Sequence, residues 1–152
     1  MLLNPDLNAE ILTKDKLYKN VENENDTKII IKFINNGEIS WPKNTILACH
    51  QHLSSIKGNS NPIKLSIEPF KEVNLEVDFE VRSHGTGTFG SFWQLKTEKG
   101  EFFGPMIKFE VNILKNFQKN AKIENNFVNS QYNPQKSYNY IDLTDSINRS
   151  QD

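Results

Sequence analysis

Three groups of residues in this chain have types and spacings that could do chemistry. Gly85, Gly87 and Gly90 fit G-x-G-x-x-G, the string that lets a backbone close on a pyrophosphate. Cys49, His50 and His52 bring a thiol and two imidazoles within a few residues, the raw material of a metal or thiol site. Trp41 and Trp93 could offer indole faces to a ligand. Each group implies a different kind of protein, and the elements that would position it decide among them.

A dinucleotide site needs a helix directly after the glycines, because its first N–H groups hold the phosphates. Here the glycines are followed by Thr88, Phe89, Ser91, Phe92, Trp93, Gln94, Leu95, Lys96 and Thr97, a β-favouring run that alternates as a strand does. Before them Val73, Leu75, Val77, Phe79 and Val81 alternate with Asn74, Glu76, Asp78 and Glu80, so a long strand points five apolar side chains one way. The segment reads as strand, glycine turn, strand. The glycines are backbone devices, and no cofactor is predicted.

The other two groups fare similarly. His50 and His52 share a strand face, Cys49 points the other way, and His84 is the only further histidine. A closed zinc site takes four ligands, so these are read as polar strand-end residues and no metal is expected. No nucleophile, base and orienting acid fall into a recognisable arrangement, and the chain is not read as an enzyme. The two tryptophans are read as core or rim packing rather than ligand platforms.

Composition narrows the class further. The 152 residues carry 18 basic and 19 acidic side chains, a net charge of −1 with no footprint for nucleic acid. The apolar runs, such as Ile29–Ile31 and Ile46–Cys49, are far too short to span a bilayer, and the first residues lack the pattern of a secretory leader. Cys49 is the only cysteine, so no internal disulfide is possible and a reducing, cytoplasmic setting is expected. The sequons at Asn25 and Asn148 would then carry no sugar.

Asn4-Pro5-Asp6 has the form of a helix start, which predicts a short N-terminal helical segment within residues 1–15, with Leu7 and Ile11 on one face. Residues 17–26 read as a loop or an irregular first strand. Strands are expected at 27–34, 45–49, 63–67, 72–82, 88–97 and about 106–114, with 50–61 a loop. About seven strands with regular turn signals describe an all-β sandwich over residues 16–114. From Lys115 to Asp152 the chain is polar, rich in Asn, Gln and Ser, and holds Tyr132, Tyr138 and Tyr140. That tail is expected to be disordered or to bind a partner.

Asn35-Asn36-Gly37-x-x-x-Trp41, then Gly87-x-Phe89-x-x-x-Trp93-x-Leu95, then Phe103-Gly104-Pro105 follow one another in order. Together they resemble the FW ("four-tryptophan") domain, the immunoglobulin-like central module of Nbr-type selective-autophagy receptors. The resemblance covers about residues 9–114. It implies an immunoglobulin-like antiparallel β-sandwich and a role in protein–protein interaction. Two of the four family tryptophans are present. Ile31 and Lys108 stand where two others would fall, so a binding surface built on the missing tryptophans does not transfer.

In the tail, Tyr140-Ile141-Asp142-Leu143 with Asp145 nearby resembles the aromatic-x-x-Leu motif that adds a strand to ubiquitin-like autophagy modifiers. The function expected is a small structural or adaptor subunit of a larger eukaryotic assembly, cytoskeletal or ciliary by analogy, whose tail contacts a protein partner. A selective-autophagy adaptor acting through Tyr140 and Leu143 is the alternative. An enzyme or nucleotide binder is a distant third.

Overall fold

The computed structural model describes residues 2–13 and 17–117. The fold is all-β, and every described strand lies in the unit that ends at Lys115. The strands are β1 (Glu10–Ile11), β2 (Tyr18–Val21), β3 (Lys28–Ile34), β4 (Ile46–Cys49), β5 (Gly58–Ser60), β6 (Glu72–Phe79), β7 (Gly87–Lys96) and β8 (Phe102–Ile113). They form two four-stranded sheets, in the orders β1-β3-β6-β5 and β2-β8-β7-β4. All pairings are antiparallel except β2 with β8.

The period of two places the core. In β6, Leu75, Val77 and Phe79 are buried while Glu72, Asn74 and Glu76 are exposed. β3 pairs with it in matching phase, Ile31 opposite Leu75 and Phe33 opposite Val73, so both strands turn their apolar sides the same way. Facing them from the second sheet are Leu47, Trp93, Leu95, Ile107, Phe109, Val111 and Ile113, all buried. Phe79 bridges the sheets edge-on, 5.9 Å from the Trp93 ring and 5.6 Å from that of Phe109. Each such pair adds roughly 0.5–1.5 kcal/mol beyond the area it buries. The two sheets therefore share one core, in a β-sandwich-like arrangement.

The structure corrects several expectations. No helix follows Asn4: Pro5 and Asp6 form a turn in which Asn4 Oδ1 accepts from the Asp6 N–H at 3.0 Å. The flanking backbone pairs instead with the start of β8, Asn4 N–H to Phe102 O at 2.9 Å and Phe102 N–H to Leu2 O at 2.8 Å. A helix this short is marginal alone, and the open sheet edge offers its backbone better partners. The expected strand 63–67 is reduced to two isolated bridges, Thr45–Ile63 and Trp41–Ile67. Between the bridged positions Asn44 adopts φ 67°, the opposing chain turns away, and Leu65 is left 70% exposed.

β5 lies inside the stretch read as loop. Gly58-Asn59-Ser60 has no β-favouring side chain, and Gly58 is required by space: a Cβ there would stand 2.3 Å from the Asp78 carbonyl oxygen. The last strand begins at Phe102 rather than near 106, running through Gly104 and Pro105 by way of a bulge. Trp93 pairs with Ile107 and Leu95 with Phe103, so Gly104, Pro105 and Met106 together oppose Gln94 alone. Proline is tolerated at such a place because the ladder is already interrupted. The tail motif Tyr140–Leu143 lies outside the described residues.

Candidate functional site

The glycine run is divided between two roles. β6 and β7 belong to different sheets, so residues 80–86 cross from one sheet to the other rather than close a hairpin. Gly85 lies in that crossing with open space around its Cα. Gly87 opens β7 at φ 143°, a conformation side chains disfavour. Gly90 is already inside β7, opposite Glu110. A strand follows the glycines, so no helix N-terminus stands behind them.

The thiol and the imidazoles diverge. Cys49 Sγ lies 3.4 Å from Ser54 Oγ and 3.8 Å from Ser91 Oγ. Ser91 and Ser54 are themselves bonded into the scaffold: Ser91 Oγ donates to Ile56 O at 2.6 Å, and Ser54 Oγ to His50 O at 2.7 Å. These bonds tie the segment after β4 onto β7. His50 turns to the outside, its ring stacked on Phe102 at 4.6 Å and its Nε2 3.1 Å from Gln94 Oε1. His52 is exposed in the following turn, and His84 packs against Phe89 at 4.6 Å. Among the described residues no group of three or more His, Cys, Asp or Glu gathers to hold a metal.

Both tryptophans are fully buried, with their indole N–H groups satisfied. Trp93 Nε1 donates to Ser91 Oγ, and Trp41 Nε1 donates to the Asn8 carbonyl, each at 2.8 Å. Asn35, also fully buried, donates from Nδ2 to Ile39 O and Ile67 O while its Oδ1 accepts from the Gly37 N–H. That one side chain joins the loop after β3 to the segment before β6.

Five residues of the ordered motifs meet at one place that spacing alone did not reveal. A Cβ on Gly37 would come 3.1 Å from the Asn8 Cβ, and one on Gly104 would come 3.0 Å from the Ala9 Cβ. Trp41 holds the Asn8 carbonyl and packs edge-on against Phe103 at 5.4 Å. Asn35, Gly37, Trp41, Phe103 and Gly104 thus build a narrow channel for residues 8–9. Leu95 and Trp93 extend the core beneath it, Pro105 sits in the bulge, and Gly87 and Phe89 begin β7.

With these groups committed to the scaffold, the two outer sheet faces are what remain, and they differ. On the β3-β6 face Lys28, Lys32, Glu72 and Glu76 form a lattice of opposite charges, with ion pairs Lys28–Glu76 at 3.3 Å and Lys32–Glu72 at 3.6 Å. On the β7-β8 face aromatic rings alternate with lysines. Phe92 stands opposite Lys108, and Lys96 opposite Phe102. Lys108 Nζ lies 5.8 Å from the Phe92 ring centre and Lys96 Nζ 5.3 Å from that of Phe102. Gln94, between these rungs, donates to the Gly104 carbonyl at 2.8 Å and so closes the bulge.

A groove of about 240 Å³ runs between the edge strands β4 and β5, and Ser60 on its wall carries a buried hydroxyl without a partner among the described residues. No helix among the described residues is long and apolar enough to cross a membrane. Compared with protein-family models and with curated proteins, the sequence matches none.

Proposed function

We propose that this chain is a non-catalytic protein–protein interaction module, an immunoglobulin-like sandwich of the FW type serving as a small structural or adaptor subunit. The observation that carries the reading is how its reactive groups are spent. Cys49, His50, Ser54, Ser91, Gln94 and Asn35 all bond to the scaffold, and of these only Cys49 lines the groove between β4 and β5. The strand order agrees with an immunoglobulin-like arrangement. The sheet β1-β3-β6-β5 corresponds to A-B-E-D, and β8-β7-β4 to G-F-C, with β2 added alongside. The FW type is proposed on the ordered motifs of the sequence, five of whose residues, Asn35, Gly37, Trp41, Phe103 and Gly104, lie around residues 8–9.

The test compares the full chain with one ending at residue 114, each tagged and recovered from its native source. A defined partner set at constant stoichiometry, reduced when residues 115–152 are absent, supports an adaptor with a binding tail. An unchanged partner set removes the tail from the proposal. Turnover of, or micromolar binding to, a nucleotide by the full chain would overturn the non-catalytic reading itself. The sequence Tyr140-Ile141-Asp142-Leu143 favours a second reading, a selective-autophagy adaptor. Loss of binding to a ubiquitin-like modifier in Tyr140→Ala/Leu143→Ala supports it, and unaltered binding or none in the parent chain excludes it.

A further inference from the structure

We infer that the outer face of the β2-β8-β7-β4 sheet docks an extended, acidic segment of a partner protein. This rests on the interaction-module reading and names its surface. The lysines carry the argument. On the opposite sheet every lysine of the lattice faces a carboxylate within ion-pair distance. On this face Lys96 has no carboxylate within 4.0 Å among the described residues, and Lys108 reaches only Glu110, at 3.9 Å between two exposed side chains. Both ammonium groups lie instead over half-buried aromatic rings. A cation over an exposed ring gains little, about 0.5–1 kcal/mol, and keeps its charge available to an incoming anion.

Geometry fixes the form of the occupant. Lys96 and Phe92 are four residues apart on β7, and Lys108 stands across from Phe92. The two charges therefore attach to backbone sites separated by about 13 Å along the strands and about 5 Å across them. An extended chain places side chains four residues apart at about the same 13 Å spacing. The matching pattern is a carboxylate, an apolar residue two positions on, and a second carboxylate two beyond that. The middle residue falls near Met106, 43% exposed in the bulge between the rungs.

A second copy of this chain fits poorly, because apposing two such faces brings lysines together. Nucleic acid is disfavoured because a continuous row of phosphates needs a broad basic footprint, and this chain of net charge −1 offers two spaced lysines on this face.

The experiment uses the full chain, isotopically labelled, and two blocked nonapeptides as probes. One has the centre Glu-Thr-Phe-Thr-Glu flanked by Ser and Thr; the other has Gln for both Glu. The acidic peptide is expected to bind with a Kd of about 0.1–1 mM and to shift amides of β7, β8 and His50. The Gln peptide should bind at least about tenfold more weakly, and Lys96→Glu/Lys108→Glu should lose the acidic peptide by a similar factor. A Lys-bearing version of the peptide should then bind that charge-reversed variant. An unchanged urea midpoint, read by tryptophan fluorescence, establishes that the variant is folded.

The proposal is overturned by equal binding of the acidic and Gln peptides, by shifts confined to other strands, or by no binding. Concentration-dependent self-association through this face, or tighter binding of a single-stranded RNA, also overturns it by giving the face another occupant. If the peptide fails while a partner set is still recovered on the full chain, the docking face is wrong and the module reading stands.

Discussion

Replacing Asn35 tests the claim that the ordered motifs serve the scaffold. The side chain is fully buried and makes three hydrogen bonds, to Ile39 O at 3.0 Å, to Ile67 O at 2.8 Å, and from the Gly37 N–H at 3.0 Å. In Asn35→Ala these partners suffer unequally. Ile67 O keeps the Trp41 N–H at 2.9 Å, and Ile39 is half exposed, so its carbonyl can take water. The Gly37 N–H is buried and left without an acceptor. An orphaned donor costs about 1–3 kcal/mol, and the two weakened acceptors add about 1 kcal/mol. The expected loss is about 2–4 kcal/mol.

Trp41 and Trp93 are the only tryptophans and both are buried, so their fluorescence reports unfolding directly. With a urea m value of about 1–1.5 kcal/mol/M, a loss of 3 kcal/mol lowers the midpoint by roughly 2–3 M. Asn35→Asp sharpens the test. Ionised, it points a carboxylate at two carbonyl oxygens; neutral, it can donate to one of them. Folding therefore raises the pKa of the introduced carboxyl above its unfolded value of about 3.9. Stability is kept below that value and is lost as pH rises through the folded pKa. Relative to the parent chain at each pH, Asn35→Asp should be less destabilised at about pH 4 than at pH 7. An Asn35→Ala midpoint equivalent to a loss under about 0.5 kcal/mol would refute the reasoning. So would a deficit of Asn35→Asp that does not change with pH.

Backbone geometry supplies the other predictions. Gly104 has φ 76° and a neighbouring Cβ at 3.0 Å, so Gly104→Ala should cost about 1–2 kcal/mol in urea unfolding. Adding Ala9→Gly should recover part of that cost, because it removes the contact but not the strain. Phe70 has φ 67° and is 75% exposed, so Phe70→Asn should stabilise the chain by about 0.5–1 kcal/mol and raise Tm by a few degrees. An unchanged or lower Tm would show that the aromatic ring contributes to the fold. Gly85→Ala and Gly90→Ala, whose added Cβ atoms meet open space and the far end of the Lys108 side chain, should leave the urea midpoint nearly unchanged. Nucleotide binding in the parent that these variants abolish would restore the phosphate-site reading.

Most of the core was legible because its signal is local. The alternation in 28–34 and 72–81 specifies which side chains turn inward, and antiparallel pairing needs only that the phases match. What stayed hidden depends on distant backbone. Gly58 looks like a loop residue until Asp78 is seen to pass against it, and only then does its missing side chain mark a strand. Asn4-Pro5-Asp6 carries a true helix-start signature, yet the strand beginning at Phe102 takes its hydrogen bonds, almost a hundred residues away in sequence. In the sequence Gly37 and Gly104 stand only as members of two separate motifs. Their shared use, admitting residues 8–9, required three segments to be in place.

The outer faces show the same division between local and distant information. Along either strand, the sequence of β7 or β8 alone reads as aromatics and lysines scattered on a solvent side. Pairing converts that scatter into rungs, Phe92 with Lys108 and Lys96 with Phe102, and sets both cations over rings, Lys108 with Glu110 at 3.9 Å and Lys96 with no carboxylate within 4.0 Å among the described residues. The β3-β6 face holds charges of both signs and pairs them diagonally across its ladder, Lys28 with Glu76 and Lys32 with Glu72, so this chain can build cross-strand ion pairs where they only maintain solubility. A sandwich that neutralises one face and leaves lysines over rings on the other is asymmetric in its unused interactions. That asymmetry, and not the glycines or the cysteine–histidine cluster, is where a partner has most to gain.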